Sequence, residues 1–390
     1  MEISGSLGDL GTLLPLAIGL VLVSGLNPAG LFFSVGLYYI LAGTYFGIPV
    51  PVQPMKVIGA YAIATGMQTT EILASTAWMS LLLLTIGLTG AINTVGRLIP
   101  RPVIRGVQLS TGSLLMAEGA KFMMGTSSFQ VLQGISEPYL NVQAVGSLPI
   151  GIFVGIAGFV VVLLLLENKR LPAGLMIVLG GIVLGFLLGG WEGLRSLKVG
   201  FNFPEILPFG VPSRADFSIA FFVLTLPQIP MTLGNAVVAY ADLSKEYFGK
   251  DSKKVTYRSA CISMAFANSL SFMLGGMPLC HGAGGLAAHY RFGARSGGSN
   301  IIIGFIFLSL AVFLGSQVTL VVSLLPMAVL GVLLFFAGAQ LALTVIDMRE
   351  RKDLFVTLLI LGITLASNLS IGFAAGIAIA YALRSERLQV

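Results

Sequence analysis

Long apolar runs follow one another along almost the whole chain, and the short connections between them carry most of its charge. The sequence is 56% hydrophobic and only 10% charged, with a mean hydropathy of +0.95. A water-soluble surface has no use for that balance, whereas a chain that crosses a bilayer repeatedly requires it. Inside hydrocarbon every backbone N–H and C=O must be satisfied by the chain itself, so the runs must be helices. The expected fold class is therefore an all-α, polytopic membrane protein. The basic residues behind the net charge of +6 lie between apolar runs, where they orient the chain, so no nucleic-acid partner is expected. Cys261 and Cys280 stand in apolar surroundings and make no disulfide framework. No basic stretch followed by a small-residue cleavage site marks a removable signal peptide.

The apolar pattern predicts fourteen transmembrane segments: 7–23, 29–46, 53–66, 71–95, 101–124, 149–167, 172–190, 215–241, 256–274, 281–291, 299–324, 326–346, 354–370 and 372–385. The stretch from about 191 to 215, with Trp191, Glu192, Arg195 and Lys198, reads as an interfacial crossing between seven spans and seven. With the N-terminus in the cytoplasm, seventeen of the 22 basic residues fall on the cytoplasmic side, among them Arg97, Lys169, Arg170 and Arg387. Lys121, Arg195, Lys198 and Arg214 fall outside, and Lys56 alone lies within a span. Both termini are then cytoplasmic, in what is expected to be a prokaryotic cytoplasmic (inner) membrane. Seven is odd, so the halves must insert in opposite orientation, as a 7+7 inverted-topology repeat.

Two segments break the apolar pattern at corresponding places, near the third span of each half. One reads Pro49-Val50-Pro51-Val52-Gln53-Pro54-Met55-Lys56; the other runs Gly275-Gly276-Met277-Pro278-Leu279-Cys280-His281-Gly282-Ala283-Gly284-Gly285. Such paired interruptions point to a transporter's substrate site. A helix over 54–66 reaches about 20 Å and one over 281–291 about 16 Å, short of the roughly 30 Å of hydrocarbon. Spans 3 and 10 are thus expected to be half-helices preceded by extended segments. Pro54 suits a first helical turn, and Gly282, Gly284 and Gly285 let a ligand approach backbone. Two facing helix N-termini, with free N–H groups at Met55, Lys56 and 281–284, favour an anion that accepts hydrogen bonds all round. A tetrahedral oxyanion meets that description.

The segments 51–56 and 278–295, with the opening Ser4-Gly5-Ser6-Leu7-Gly8-Asp9-Leu10-Gly11-Thr12, resemble the signature segments of the molybdate transporter family, which is related to the SulP sulfate permeases. The resemblance covers nearly the whole chain. It implies the inverted repeat shared with nucleobase permeases: a core domain of spans 1–4 (1–100) and 8–11 (215–325), and a gate domain of spans 5–7 (101–190) and 12–14 (326–390, with a short C-tail), with 191–214 as the interfacial connection. It also implies a substrate held between the N-termini of spans 3 and 10. The chain ends about five residues beyond its last span, so no STAS domain is expected, as in the molybdate branch.

The residues expected to line the anion site are Gln53, Met55, Lys56, Gln228, Thr232, Asn235, Cys280, His281, Gly282, Ala283 and Gly284. A buried cation such as Lys56 is functional by default in a span, as a substrate ligand or as a partner of Asp9 or Glu118. The polar Gln53, Gln228, Thr232 and Asn235 must each find a partner, either the anion or a neighbouring helix. Asp9 and Glu118 are the candidate coupling carboxylates, although Glu118 stands one helical turn from Lys121, as an ordinary surface pair would. His289 reads as interfacial. Two histidines and two cysteines at these spacings form no metal site, the glycine-rich 282–285 lacks the Lys-Ser/Thr of a phosphate loop, and no cofactor is implied. Molybdate and the bilayer are the expected partners; a homodimer is carried as an expectation without a residue to argue it. The expected activity is not enzymatic: proton-coupled molybdate import by alternating access. A sulfate or other small-oxyanion carrier, an anion channel, a nucleobase permease and an intramembrane enzyme are the competing readings. The last two lack carboxylates in spans 8 and 10 and a nucleophile–base pair, respectively.

Overall fold

The computed structural model describes residues 2–92, 99–166, 168 and 172–385. Arg97, Lys169, Arg170 and Arg387, used above for orientation, lie outside the described residues. Helices occupy the predicted spans: α1 Leu10–Ser24, α2 Pro28–Phe46, α3 Lys56–Thr65, α4 Thr69–Thr89, α5 Arg101–Met124, α6 Ile150–Leu165 and α7 Ala173–Gly185 in the first half. The second half holds α8 Arg214–Ser252, α9 Tyr257–Met273, α10 Ala283–Arg291, α11 Gly298–Leu314, α12 Met327–Ala342, α13 Arg351–Ala366 and α14 Leu369–Ala382. Among the described residues, six helical stretches are long and apolar enough to cross a membrane by length and composition; α3, α6 and α14 are shorter apolar helices.

Local sequence sets the ends. Asn27 caps α2 by accepting the Gly30 N–H at 3.2 Å, Pro28 takes the first helical position, and Gly47, with φ 75°, ends it. Pro227 and Pro230 interrupt the hydrogen-bond ladder of α8, and π-helical turns flank them at Ala220–Thr225 and Thr232–Ala239.

Glycine contacts knit the halves together. On α5, Gly112 and Gly119 meet Gly338 and Gly331 of α12, so close that a Cβ on any of them would lie 2.5–2.6 Å from the partner's carbonyl oxygen. Gly36 and Gly43 of α2 meet Gly304 of α11 and Gly297 just before it in the same manner. α4 packs on α9 correspondingly, so the pairs 2–11 and 4–9 change places under an inverted repeat while 5–12 maps onto itself.

The broken segments cross at the centre. β1 (Gln53–Pro54) pairs antiparallel with β4 (Leu279–Cys280), Gln53 opposite Cys280 and Pro54 opposite Leu279. A second small hairpin, β2 (Ala144–Val145) with β3 (Leu148–Pro149), lies in the α5–α6 connection. Unwound backbone at this depth needs protein partners, and two buried asparagines provide them. Asn300 of α11 accepts the Val50 N–H (2.9 Å) and donates to its carbonyl (2.7 Å); Asn268 of α9 does the same for Leu279 at 2.9 and 2.7 Å.

In the α5–α6 connection, the fully buried Glu137 receives the Met327 and Ala328 N–H groups, both at 2.8 Å, on its two carboxylate oxygens. It thereby caps the N-terminus of α12.

Candidate functional site

A cavity of about 760 Å³ lies between α1, α3, α8 and α10 on one side and α5, α6, α7 and α12 on the other. Lys56, Asn235, Gly284, Thr12 and Met231 line it, together with Arg101, Arg105 and Arg291. Arg101 and Arg105 both pair with Asp347, Arg101 at 2.7 Å, and Arg105 also donates to Gln108 at 2.7 Å. These contacts tie α5 to the turn after α12.

The two half-helices present different N-termini to this space. In α3 the Met55 N–H is taken by the Pro278 carbonyl at 2.9 Å, and Val57 and Ile58 donate N–H to Gln228 Oε1 at 2.9 and 3.2 Å. Gln228 in turn donates to Thr232 Oγ1 at 2.9 Å. Gln228 and Thr232 are thus occupied with each other and with α3, buried behind the cavity wall. In α10 the first intrahelical bond runs from Leu286 N–H to the Gly282 carbonyl at 3.1 Å, and Gly282 supplies no side-chain cap. Gly284 lies open to the cavity with nothing within 4 Å of its Cβ position. The expectation of two equally free first turns fails on α3, where a buried glutamine from α8 reaches the turn; before α10 the His281 N–H goes to Met264 Sδ at 3.3 Å, and no side chain caps the turn itself.

Lys56 begins α3 and is half-buried on the cavity wall; among the described residues it forms no ion pair, with Asp9 in electrostatic range. Asn235 projects from the π-helical part of α8, also half-buried. Lys56, Asn235 and Gly284 are therefore brought together on one cavity, while the half-buried Ala283 is not part of its lining. Met55, Cys280 and Gly282 are buried in the crossing. His281 lies there too: its Nδ1 faces the Pro51 carbonyl at 3.0 Å, so that nitrogen carries the hydrogen, and Nε2 accepts from the Tyr38 hydroxyl at 2.9 Å. Tyr38 and Tyr240 stack on either side at 5.6 and 4.9 Å. Held at both nitrogens, this ring clamps the extended segment 51–53.

Gln53 is also fully buried. It donates Nε2 to Asp9 Oδ1 at 2.5 Å and packs over Gly282 and Gly285, where any Cβ would collide with its amide. Glu118 pairs with Lys121 of the same helix at 3.1 Å, away from the cavity wall. His289 is not interfacial: it is fully buried and donates Nδ1–H to the Gly5 carbonyl at 2.8 Å. The cause is remote in sequence, since the short helix Glu2–Ser6 folds across α10 with Gly5 against Ala294 and Gly8 against Ala288. Sequence reasoning also missed Asn268 and Asn300, whose only signal was a polar amide amid apolar neighbours.

A family model described as a molybdate transporter of the MFS superfamily matches residues 1–115 and 220–341. Molybdate transporter 2 of Arabidopsis thaliana is 33% identical over 99% of this chain and 88% of its own length; molybdate transporter 1 of the same plant is 32% identical over 96% and 86%. Molybdate transporter 1 of Chlamydomonas reinhardtii is 29% identical over 96% and 90%. Among solved structures, the transmembrane domain of a cyanobacterium bicarbonate transporter, BicA, superposes with TM-score 0.68 at 14% identity, covering 96% of both chains. Murine Solute Carrier 26 family member A9, an anion transporter in the inward-facing state, gives 0.66 at 13% identity over 100% of this chain and 69% of its own. The fold is thus the inverted repeat of these multi-pass anion transporters, and by sequence this chain belongs to the molybdate transporter family.

Proposed function

We propose that this protein imports molybdate by alternating access, holding the anion in the cavity against the N-terminus of α10. The observation that carries this reading is the uncapped first turn of α10 at an open glycine, Gly284, inside a cavity that also holds Lys56. The backbone N–H groups of Ala283 to Gly285 and the α10 dipole would bind one face of a tetrahedral oxyanion. Lys56 and Asn235 would bind the opposite face, so the contribution of α3 comes through its first side chain. Discrimination between molybdate and the smaller sulfate would then come from cavity size and donor spacing. The core domain (1–100 and 215–325) would carry the anion past the gate domain (101–190 and 326–390). With fourteen spans and both termini in the cytoplasm of a prokaryotic cell, the arginine-bearing mouth faces inward, and the cavity is that of an inward-open state.

Moving a dianion inward against the membrane potential costs about 2.3 kcal/mol per charge per 100 mV. Import therefore needs either a co-transported cation or a very low internal molybdate concentration; we take the first, with the proton as the cation. Uptake of labelled molybdate into proteoliposomes tests the reading. Saturable uptake that unlabelled molybdate blocks and excess sulfate does not is the expected result. Equal block by sulfate would make this a general oxyanion carrier, and current without saturation would make it a channel.

A further inference from the structure

Beneath the first turn of α10 lies a cluster that the anion site does not use. Asp9 Oδ2, Gln53 Oε1 and His289 Nε2 are all buried and without a partner among the described residues, and their side chains are 3%, 1% and 0% exposed. Their hydrogen assignments follow from their other bonds. Asp9 Oδ1 receives Gln53 Nε2–H, so the amide oxygen of Gln53 is the atom left over. The Gly5 carbonyl can only accept, so His289 Nδ1 carries hydrogen, and Nε2 is a lone pair whenever the ring is neutral. With that ring neutral, three acceptor atoms thus lie in one buried place with no hydrogen bond of their own among the described residues, and the Thr12 hydroxyl is the other side-chain donor beside Asp9. Asp9 Oδ2 would lie 2.5 Å from a Cβ on Gly285, and His289 stands one turn further along α10, on the same face.

We infer that this cluster is the site of the transported proton, shared between Asp9 Oδ2 and His289 Nε2. The assignment rests on the import reading above and names its coupling site. One added proton turns an acceptor into a donor and lets the orphaned atoms bond to each other. A histidine nitrogen among so few oxygens suits a proton better than an alkali cation. The same turn of α10 carries the anion donors on its cavity side and Asp9 on its other side. An ionised Asp9 therefore repels the oxyanion across one helical turn, and a protonated Asp9 does not. Anion and proton must then strengthen each other's binding reciprocally, which is what symport needs. The other titratable groups facing Asp9 are Lys56 from α3, Tyr39 from α2 and Cys280 from β4. Glu2 is turned away to the Arg295 and Ser296 N–H groups at 2.9 and 3.1 Å.

The test uses the full chain in proteoliposomes and compares uptake driven by an acid-outside gradient with molybdate–molybdate exchange at equal pH. In Asp9→Asn and in His289→Asn, which keeps a donor for Gly5, the ratio of gradient-driven uptake to exchange is expected to fall about tenfold or more. A wild-type ratio in both variants overturns the site while leaving molybdate import intact. A wild type that follows a sodium gradient and ignores pH overturns the proton. A wild type that neither exchanges nor binds molybdate overturns the import reading itself. Purified wild type gives a readout independent of variant folding: molybdate added to a lightly buffered sample should draw in about one proton per anion bound. Binding with no pH change overturns the proposal.

Discussion

α3 and α10 are the same device twice, each a short helix entered through a strand, and the two strands pair with each other. Their first turns nevertheless differ. On α3 a single side-chain oxygen, Gln228 Oε1, bridges the Val57 and Ile58 N–H groups. On α10 the equivalent residues, counted from the helix start, are Gly284 and Gly285, and no side chain caps them. The glutamine oxygen therefore shows what an acceptor looks like on such a turn, and the glycines leave the twin turn to an acceptor from outside. The repeat is symmetric in backbone and asymmetric in how its first turns are capped. Both helices line the cavity, α3 through Lys56 and Ala60 and α10 through Gly284 and Ala288, but α3 also rests along α5.

The sharpest way to break the comparison is to fill the open turn. Gly284→Leu places a side chain where the anion is proposed to sit, in a direction that meets no protein atom, so the fold should tolerate it. Molybdate affinity should drop by about a hundredfold or more, the equivalent of losing two charge-assisted hydrogen bonds. Titration of the purified variant by calorimetry measures this. Wild-type affinity would mean that the anion does not use α10.

Much of this device was legible in the sequence because it is local. Proline and glycine in 49–54 and 275–285 announced the two breaks, and Pro54 and the Gly282–Gly285 run marked the helix starts. What sequence could not supply was the partner of each polar side chain. Gln228 reads equally well as an anion ligand or a cap, and only the approach of α8 to α3 decides between them. His281 beside three glycines looks like a ligand, yet it is committed to Pro51 and Tyr38. His289 looked interfacial because the helix that buries it lies more than 280 residues earlier. The α5–α6 connection was less legible still, since Glu137 lies in a polar stretch with no apolar pattern to place it.

The second test addresses the occupied turn. Gln228→Ala leaves the Val57 and Ile58 N–H groups buried without their acceptor, which costs about 1–3 kcal/mol of stability. Thermal unfolding in detergent should show that loss, and added molybdate should recover part of it if the anion can then reach α3 as it reaches α10. An unfolding temperature equal to wild type would mean that the bridging oxygen adds nothing, and the two first turns would then be energetically alike.

A third helix N-terminus, that of α12, sharpens the contrast, because its acceptor is a carboxylate that belongs to the chain. Burial pushes the Glu137 carboxyl from its ordinary 4.5 up to about 7, while the Ala328 and Met327 N–H groups partly oppose the rise. The folded state thus holds this proton more tightly than the unfolded chain does. Stability from this group is complete below about pH 4.5 and is lost as pH rises through about 7. Between pH 6 and pH 8 the loss amounts to about 1.4 kcal/mol. Wild type should therefore unfold at lower temperature at pH 8 than at pH 6, and Glu137→Gln should flatten that difference, since the amide oxygen can accept from α12 at any pH. A variant with the wild-type slope would assign the pH dependence elsewhere. The comparison then closes on a physical distinction: Gln228 caps α3 without charge and without a pH response, Glu137 caps α12 with a charge that burial resists, and α10 carries glycines in place of either.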